Sequence, residues 1–182
     1  MEVLEAIRTR RSIRKYTADP VDDRTLETVL EAARQAPSWA NTQCWHFVAV
    51  RDVETKSQLS DTLNETNPAR DAVRNAPLVI VACAELGRAG HKDGEVTTDK
   101  GDWFLFDVAL SMQNLVLAAH SLGLGTVYVG RFDAEKAARI LSVPEEYRVV
   151  AMTPLGYPAE TKDPRPRKEL NEIVHYDKWG AG

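Results

Sequence analysis

Residues 78–84, LVIVACA, are apolar at every position and, after Leu78, β-branched or small. A strand with one wet face would alternate apolar and polar side chains, so an unbroken run of this kind predicts a central strand covered on both sides. A second segment makes a similar demand. Residues 102–122 form the longest helical pattern, with Phe106, Leu110, Leu117 and further apolar residues spread around most of the circumference, which predicts a central buried helix. Gly123 stops it. A chain that must cover both a two-sided strand and an all-round helix is a folded domain with a substantial core. With 182 residues it can hide roughly 70% of its unfolded surface, enough for one domain, 1–182, without a disulfide or structural metal.

The remaining elements follow from shorter patterns. Val3, Leu4 and Ile7 suggest a short first helix, followed by an extended stretch that Pro20 closes. Asp22 or Asp23 can cap a second helix, whose Leu26, Val29, Leu30 and Ala33 recur at the spacing of a buried stripe and which ends near Ala36, before Pro37. Residues 37–45, PSWANTQCW, read as a loop and 46–50 as a strand. Helices are expected over 56–66, 69–75 and 134–141, a loop and strand over 124–130, and a strand over 148–153. Residues 86–102 hold four glycines and almost no periodicity, which predicts a long lid or binding loop. Helices and strands mix without a steady βαβ rhythm, so the fold class is α+β.

Charge is the first feature that bears on function. The net charge is −4, yet residues 8–15 carry +5 with no acid and residues 162–168 carry +3, leaving −12 on the rest. Two cationic islands at opposite ends of an acidic protein argue for a small anion gripped locally, and against a nucleic-acid-binding face. Solvated surface charge is the plain alternative. Cys44 and Cys83 are too few for a disulfide scaffold or a four-ligand zinc site, which fits a reduced, cytoplasmic protein. No apolar run approaches the roughly 20 residues of a membrane span, and the first residues lack a signal-peptide core.

Familiar catalytic patterns are missing. Gly123, Gly125 and Gly130 fail the dinucleotide spacing, because Tyr128 stands where the third glycine belongs. His46, His91, His120 and His175 show no metal spacing, no serine sits in a nucleophile elbow, and Cys44 has no visible activator. No metal site is expected. Anion-binding arginines and a polar amide loop without acid/base machinery suit an enzyme whose cofactor does the hard chemistry.

Four segments then occur in a meaningful order: Arg10-Arg11-Ser12-Ile13-Arg14-Lys15-Tyr16, the loop from Pro37 to Phe47, Gly123-Leu124-Gly125-Thr126, and Gly156-Tyr157-Pro158 through Arg165-Pro166-Arg167. In this order they resemble the FMN-dependent nitroreductase family over essentially the whole chain. The resemblance implies a central, mostly antiparallel sheet wrapped by helices, in an intertwined homodimer with two FMN sites at its interface. It implies that Arg10, Arg11, Ser12, Arg165 and Arg167 hold the flavin phosphate and that Arg14 approaches the pyrimidine edge of the ring. Pro37, Ser38, Trp39 and Asn41 would reach the flavin from the partner subunit, and Tyr128, Val129, Gly130 and Arg131 would lie along its other side. Cys44 replaces the proline that commonly follows the glutamine of this loop. The implied reaction is a two-step exchange from NADH or NADPH through FMN to a small-molecule acceptor such as a nitroaromatic, a quinone or another flavin. Alternatives within the fold are a flavin-dependent reductase of dehalogenase or flavin-destructase type, and a flavin-binding module without turnover. Trp45 and Trp103 are expected in the core or an interface and Tyr16 and Phe47 in the core. Asp107 is expected to favour the helix dipole, and Gln113 and Asn114 to make buried hydrogen bonds.

Overall fold

A computed structural model describes residues 1–180. Ala181 and Gly182, the end of the expected 1–182 domain, lie outside the described residues. The core is a four-stranded sheet in the order β1-β2-β6-β5, where β1 is Trp45–Val50, β2 Leu78–Glu85, β5 Gly125–Thr126 and β6 Tyr147–Gly156. Every neighbouring pair is antiparallel. β2 lies inside, and its side chains divide by parity. Val79, Val81 and Cys83 join Leu59, Leu63, Val73 and Ala137, beneath α3 (Val53–Ser60), α4 (Arg70–Asn75) and α6 (Ala134–Leu141). Leu78 and Ile80 face Leu26, Val29, Leu115 and Ala119, which come from α2 (Asp23–Arg34) and α5 (Phe104–Ser121), and Ala82 and Ala84 pack with Trp45, Val108 and Met112. Covering both faces with helices is what the unbroken apolar run required.

Local signals explain most boundaries. Asp22 caps α2 by accepting the Thr25 N–H at 2.9 Å, and Gly123, at φ +81°, ends the chain's passage out of α5 in a conformation that favours glycine. The last carbonyls of α2 gain partners from α5: Ser111 Oγ donates to Ala33 O at 2.8 Å, beside the Ala36 N–H of the closing turn, and Asn114 Nδ2 to Ala32 O at 3.2 Å. Gln113 instead is reached from outside, accepting a hydrogen bond from the Tyr128 hydroxyl.

Several expectations need correction. The helix expected over 56–66 starts earlier, because Asp52 caps it through the Thr55 N–H, and ends at Ser60 in tight turns. Residues 86–102 are not a featureless loop: they contain a small hairpin, β3 (His91–Lys92) against β4 (Glu95–Val96), tied down by Trp103 Nε1 donating to Thr98. The segment 124–130 contributes the short β5 and two isolated bridges, Thr126 to Ser12 and Val129 to Met152, rather than a full strand. α5 is buried on one side only; Leu105 and Phe106 at its start are 60% and 55% exposed in the single chain. Tyr16 and Phe47 are half-buried rather than fully enclosed. No helix of the described residues is long and apolar enough to cross a membrane.

Candidate functional site

Two segments far apart in sequence are laced together beside the β5 edge. Ile13 N–H donates to Thr126 O at 2.9 Å, with Ser12 bridged to Thr126 in parallel, and Thr17 N–H donates to Tyr157 O at 2.9 Å. Gly125 is required at this crossing, because a Cβ there would lie 2.8 Å from Ile13 Cβ. Gly156 is likewise closed in, by Pro77 and Tyr16. The glycines of two of the four motifs therefore serve close packing of the basic segment against the sheet.

This lacing brings the two cationic islands onto one cavity of about 610 Å³. Its lining includes Arg10, Arg11, Ser12 and Arg14 from one island and Lys162, Arg165 and Arg167 from the other, with Asp163 as the one acid. Lys162 and Asp163 were not among the sequence candidates. The guanidinium groups are incompletely satisfied by protein. Arg11 Nη1 donates to Arg8 O and Arg10 O, and Arg167 Nη1 to Arg165 O and Pro166 O, yet the Nε atoms of Arg11 and Arg14 are buried without a partner. Buried donors are normally bonded, so a cavity lined by six cations, two of them with a guanidinium nitrogen that no protein group satisfies, fits an anionic ligand. Behind the arginines, His120 Nε2 lies 2.8 Å from Thr9 Oγ1; burial, and then Arg10 and Arg11, push its pKa down. A neutral imidazole there adds no further positive charge, a detail that its lone position in the sequence could not disclose.

Tyr128, Val129, Gly130 and Arg131 do not line this cavity, although Tyr128 lies close enough to Arg10 to feel its charge. Desolvation pushes its phenol up to about 12, with Arg10 pulling the other way. Val129 is a core residue whose N–H and C=O both pair with Met152, so its side chain and amide are spent on the fold. Gly130 and Arg131 are exposed, and no heavy atom lies within 4 Å of a Cβ built on Gly130.

The loop residues Pro37, Ser38, Trp39 and Asn41 do not line the cavity of their own chain. They sit at the start of α5, in a backbone bent sharply through left-handed conformations at Ala40, Asn41 and Gln43. Asp107 holds this loop. Fully buried, it accepts the Trp39 N–H on both carboxylate oxygens at 3.1 Å and lies 3.8 Å from Cys44 Sγ. Asp107 does lie in the first turn of α5, as the dipole expectation had it, and in addition clamps the loop across 68 residues of sequence. Burial pushes the Asp107 pKa up, partly offset by the Trp39 N–H. The same burial, with Asp107 beside it, pushes the Cys44 thiol up to about 12, so it is not an activated nucleophile.

Comparison with known proteins bears on this arrangement. The Nitroreductase family model matches residues 7–73 and 61–157. A Methanothermobacter thermautotrophicus protein provisionally named NADH dehydrogenase/NAD(P)H nitroreductase is 37% identical, over 98% of this chain and 88% of its own. A crystal structure of a nitroreductase family protein from Clostridium novyi NT superposes with a TM-score of 0.79 at 33% identity, covering 99% and 96% of the two chains. The NADPH:FMN oxidoreductase from Vibrio harveyi, solved in complex with NAD+, superposes with a TM-score of 0.83 at 31% identity, covering 97% of this chain and 77% of that one. A cation-lined cavity built from both ends of the chain, the antiparallel sheet behind it and these matches along the chain lead to one conclusion: the chain belongs to the nitroreductase family.

Proposed function

We propose that the protein is a cytoplasmic FMN-dependent NAD(P)H oxidoreductase of nitroreductase type, folded as one domain and working as a homodimer. The observation that carries this reading is the convergence of the two basic islands on one cavity with two buried guanidinium nitrogens left unpartnered. Those residues suit a phosphate ester better than a metal or a neutral ligand. When bound, FMN supplies two-electron exchange, from NADH or NADPH and then to a flat acceptor such as a nitroaromatic, a quinone or another flavin.

The chain's own residues bind and orient. Arg10, Arg11, Ser12, Arg165 and Arg167 would hold the phosphate, and the positive charge of Arg14 would favour electron density on the ring. Asn41 can offer a donor and an acceptor together to a polar ring edge. Tyr128, Gly130 and Arg131 would lie along the other side of the ring, with Val129 anchoring them to the sheet.

Burial supports the homodimer. Val3, Leu4 and Ile7 on α1 (Val3–Thr9), Leu105 and Phe106 on α5, and Leu170, Tyr176 and Trp179 near the end are all exposed in the single chain. Burial of these side chains against a second copy would remove that apolar area from water. A second copy covering it would also explain why the Pro37–Asn41 loop is shaped for presentation yet lies off the cavity of its own chain.

The visible spectrum of the purified protein, before and after NADH and NADPH, tests the reading directly. Each lost charge-assisted phosphate contact should weaken FMN binding by about 10- to 100-fold, so Arg10→Ala and Arg167→Ala should emerge with less flavin while the dimer stays folded. Full yellow colour in both would refute the phosphate assignment. If reduced flavin forms but no nitro compound or quinone reoxidises it faster than oxygen does, the acceptor class is wrong.

A further inference from the structure

Six cationic side chains around one cavity repel each other, so something must hold the two islands in register. Ala159 N–H donates to Lys15 O at 2.9 Å, and Tyr16 pairs antiparallel with Pro158. This short ladder leads to Glu160. Its Oε1 accepts the Arg14 backbone N–H at 2.8 Å, and its Oε2 lies 2.9 Å from Lys162 Nζ. Arg14 and Lys162 each line the cavity, one from each island, whereas Glu160 lies behind it, beside Arg10, Arg11 and His120. The Glu160 side chain is only 12% exposed. Burial alone would raise its pKa, but Lys162 and the Arg14 N–H outweigh that and keep it ionised.

We propose that Glu160 is the positioning residue of the anion site: it clasps the Arg14 backbone to the carboxy-terminal basic segment, so that Arg10 and Arg11, just upstream of Arg14, face the same phosphate as Arg165 and Arg167. The inference rests on reading the cavity as the flavin phosphate site. It makes a prediction opposite in sign to simple electrostatics. A carboxylate near an anion site repels the ligand, so its deletion should tighten binding. Deletion of a clasp weakens binding instead, because the cations lose their common orientation.

The test titrates FMN and riboflavin, which lacks the phosphate, into flavin-depleted wild type, Glu160→Ala, Glu160→Gln and Arg10→Ala, reading flavin fluorescence and each apoprotein's unfolding midpoint. Glu160→Ala should weaken FMN binding about tenfold, the lower end of the effect of one lost charge-assisted hydrogen bond, and weaken riboflavin binding, which feels Arg14 but not the phosphate contacts, by much less. Glu160→Gln retains an acceptor for the Arg14 N–H and should bind FMN at least as tightly as wild type. The clasp is overturned if Glu160→Ala binds FMN as tightly as wild type or tighter, if Glu160→Gln loses as much as Glu160→Ala, or if FMN and riboflavin weaken in parallel. Unchanged FMN affinity in Arg10→Ala would overturn the phosphate reading and the clasp with it. A weakened Arg10→Ala beside an unweakened Glu160→Ala would remove the clasp alone. Should Glu160→Ala not fold, Glu160→Asp, one methylene short of the Arg14 N–H, takes its place.

Discussion

Replacing Asp107 by alanine should loosen the 38–43 loop without touching the phosphate cavity. The loop holds Ala40, Asn41 and Gln43 at φ of 44°, 58° and 49°. For Ala and Gln such a conformation costs about 1 to 2 kcal/mol each, while Asn tolerates it. Against that, the hydrogen bond from Trp39 N–H to the buried carboxylate contributes about 1.5 to 3 kcal/mol. Asp107→Ala removes it and leaves the Trp39 N–H unpartnered, but also relieves the burial of a charge. A net loss of about 2 kcal/mol corresponds to about 4 to 8 °C in midpoint for a domain of this size. Ala40→Gly in the Asp107→Ala background should restore about 1 kcal/mol by removing the left-handed penalty. The pH dependence has a definite sign. With its folded-state pKa raised, Asp107 binds its proton more readily in the folded protein. Its contribution therefore improves as pH falls through the window above the unfolded carboxylate value of about 3.9. The gap in midpoint between wild type and Asp107→Ala should accordingly widen from pH 7 toward pH 4. Thermal melts of flavin-depleted protein at several pH values measure both effects. A midpoint shift under about 1 °C, or a gap that narrows on acidification, would refute the clamp.

Neither cysteine should react with a disulfide thiol reagent at pH 8 in the folded protein, because burial pushes Cys44 to about 12 and Cys83 to about 11; both should titrate after unfolding in guanidinium. A thiol that reacts rapidly in the folded state would contradict that burial. Gly125→Ala forces a Cβ onto Ile13 and should destabilise by about 1 to 3 kcal/mol. Because Ile13 sits within the basic segment, flavin content should fall with it; a variant as stable and as yellow as wild type would show that this crossing is not tight.

The elements that the sequence predicted well are those governed by neighbours a few residues away. The two-sided burial of β2, the stripe of α2 with its Asp22 cap, and the stop at Gly123 each depend on a periodicity or a turn that a local window contains. The two charge islands were equally visible, since net charge over eight residues needs no fold.

What the chain brings together was not legible in this way. A run of apolar residues around α5 predicts burial, but only the tertiary structure reveals that Leu105 and Phe106 are left for another surface to cover. Asp107 looks like any acid near a helix start until the fold places Trp39 against it. Glu160 looks like surface charge until strand pairing brings Arg14 within 2.8 Å, across 146 residues. By itself the sequence determined most of the longer helices and strands and where positive charge collects, because those properties arise from short-range sterics and composition. Only the tertiary structure decided which charges face the same cavity and which acids hold them there, because long-range contacts follow from how the sheet and its helices close as a whole.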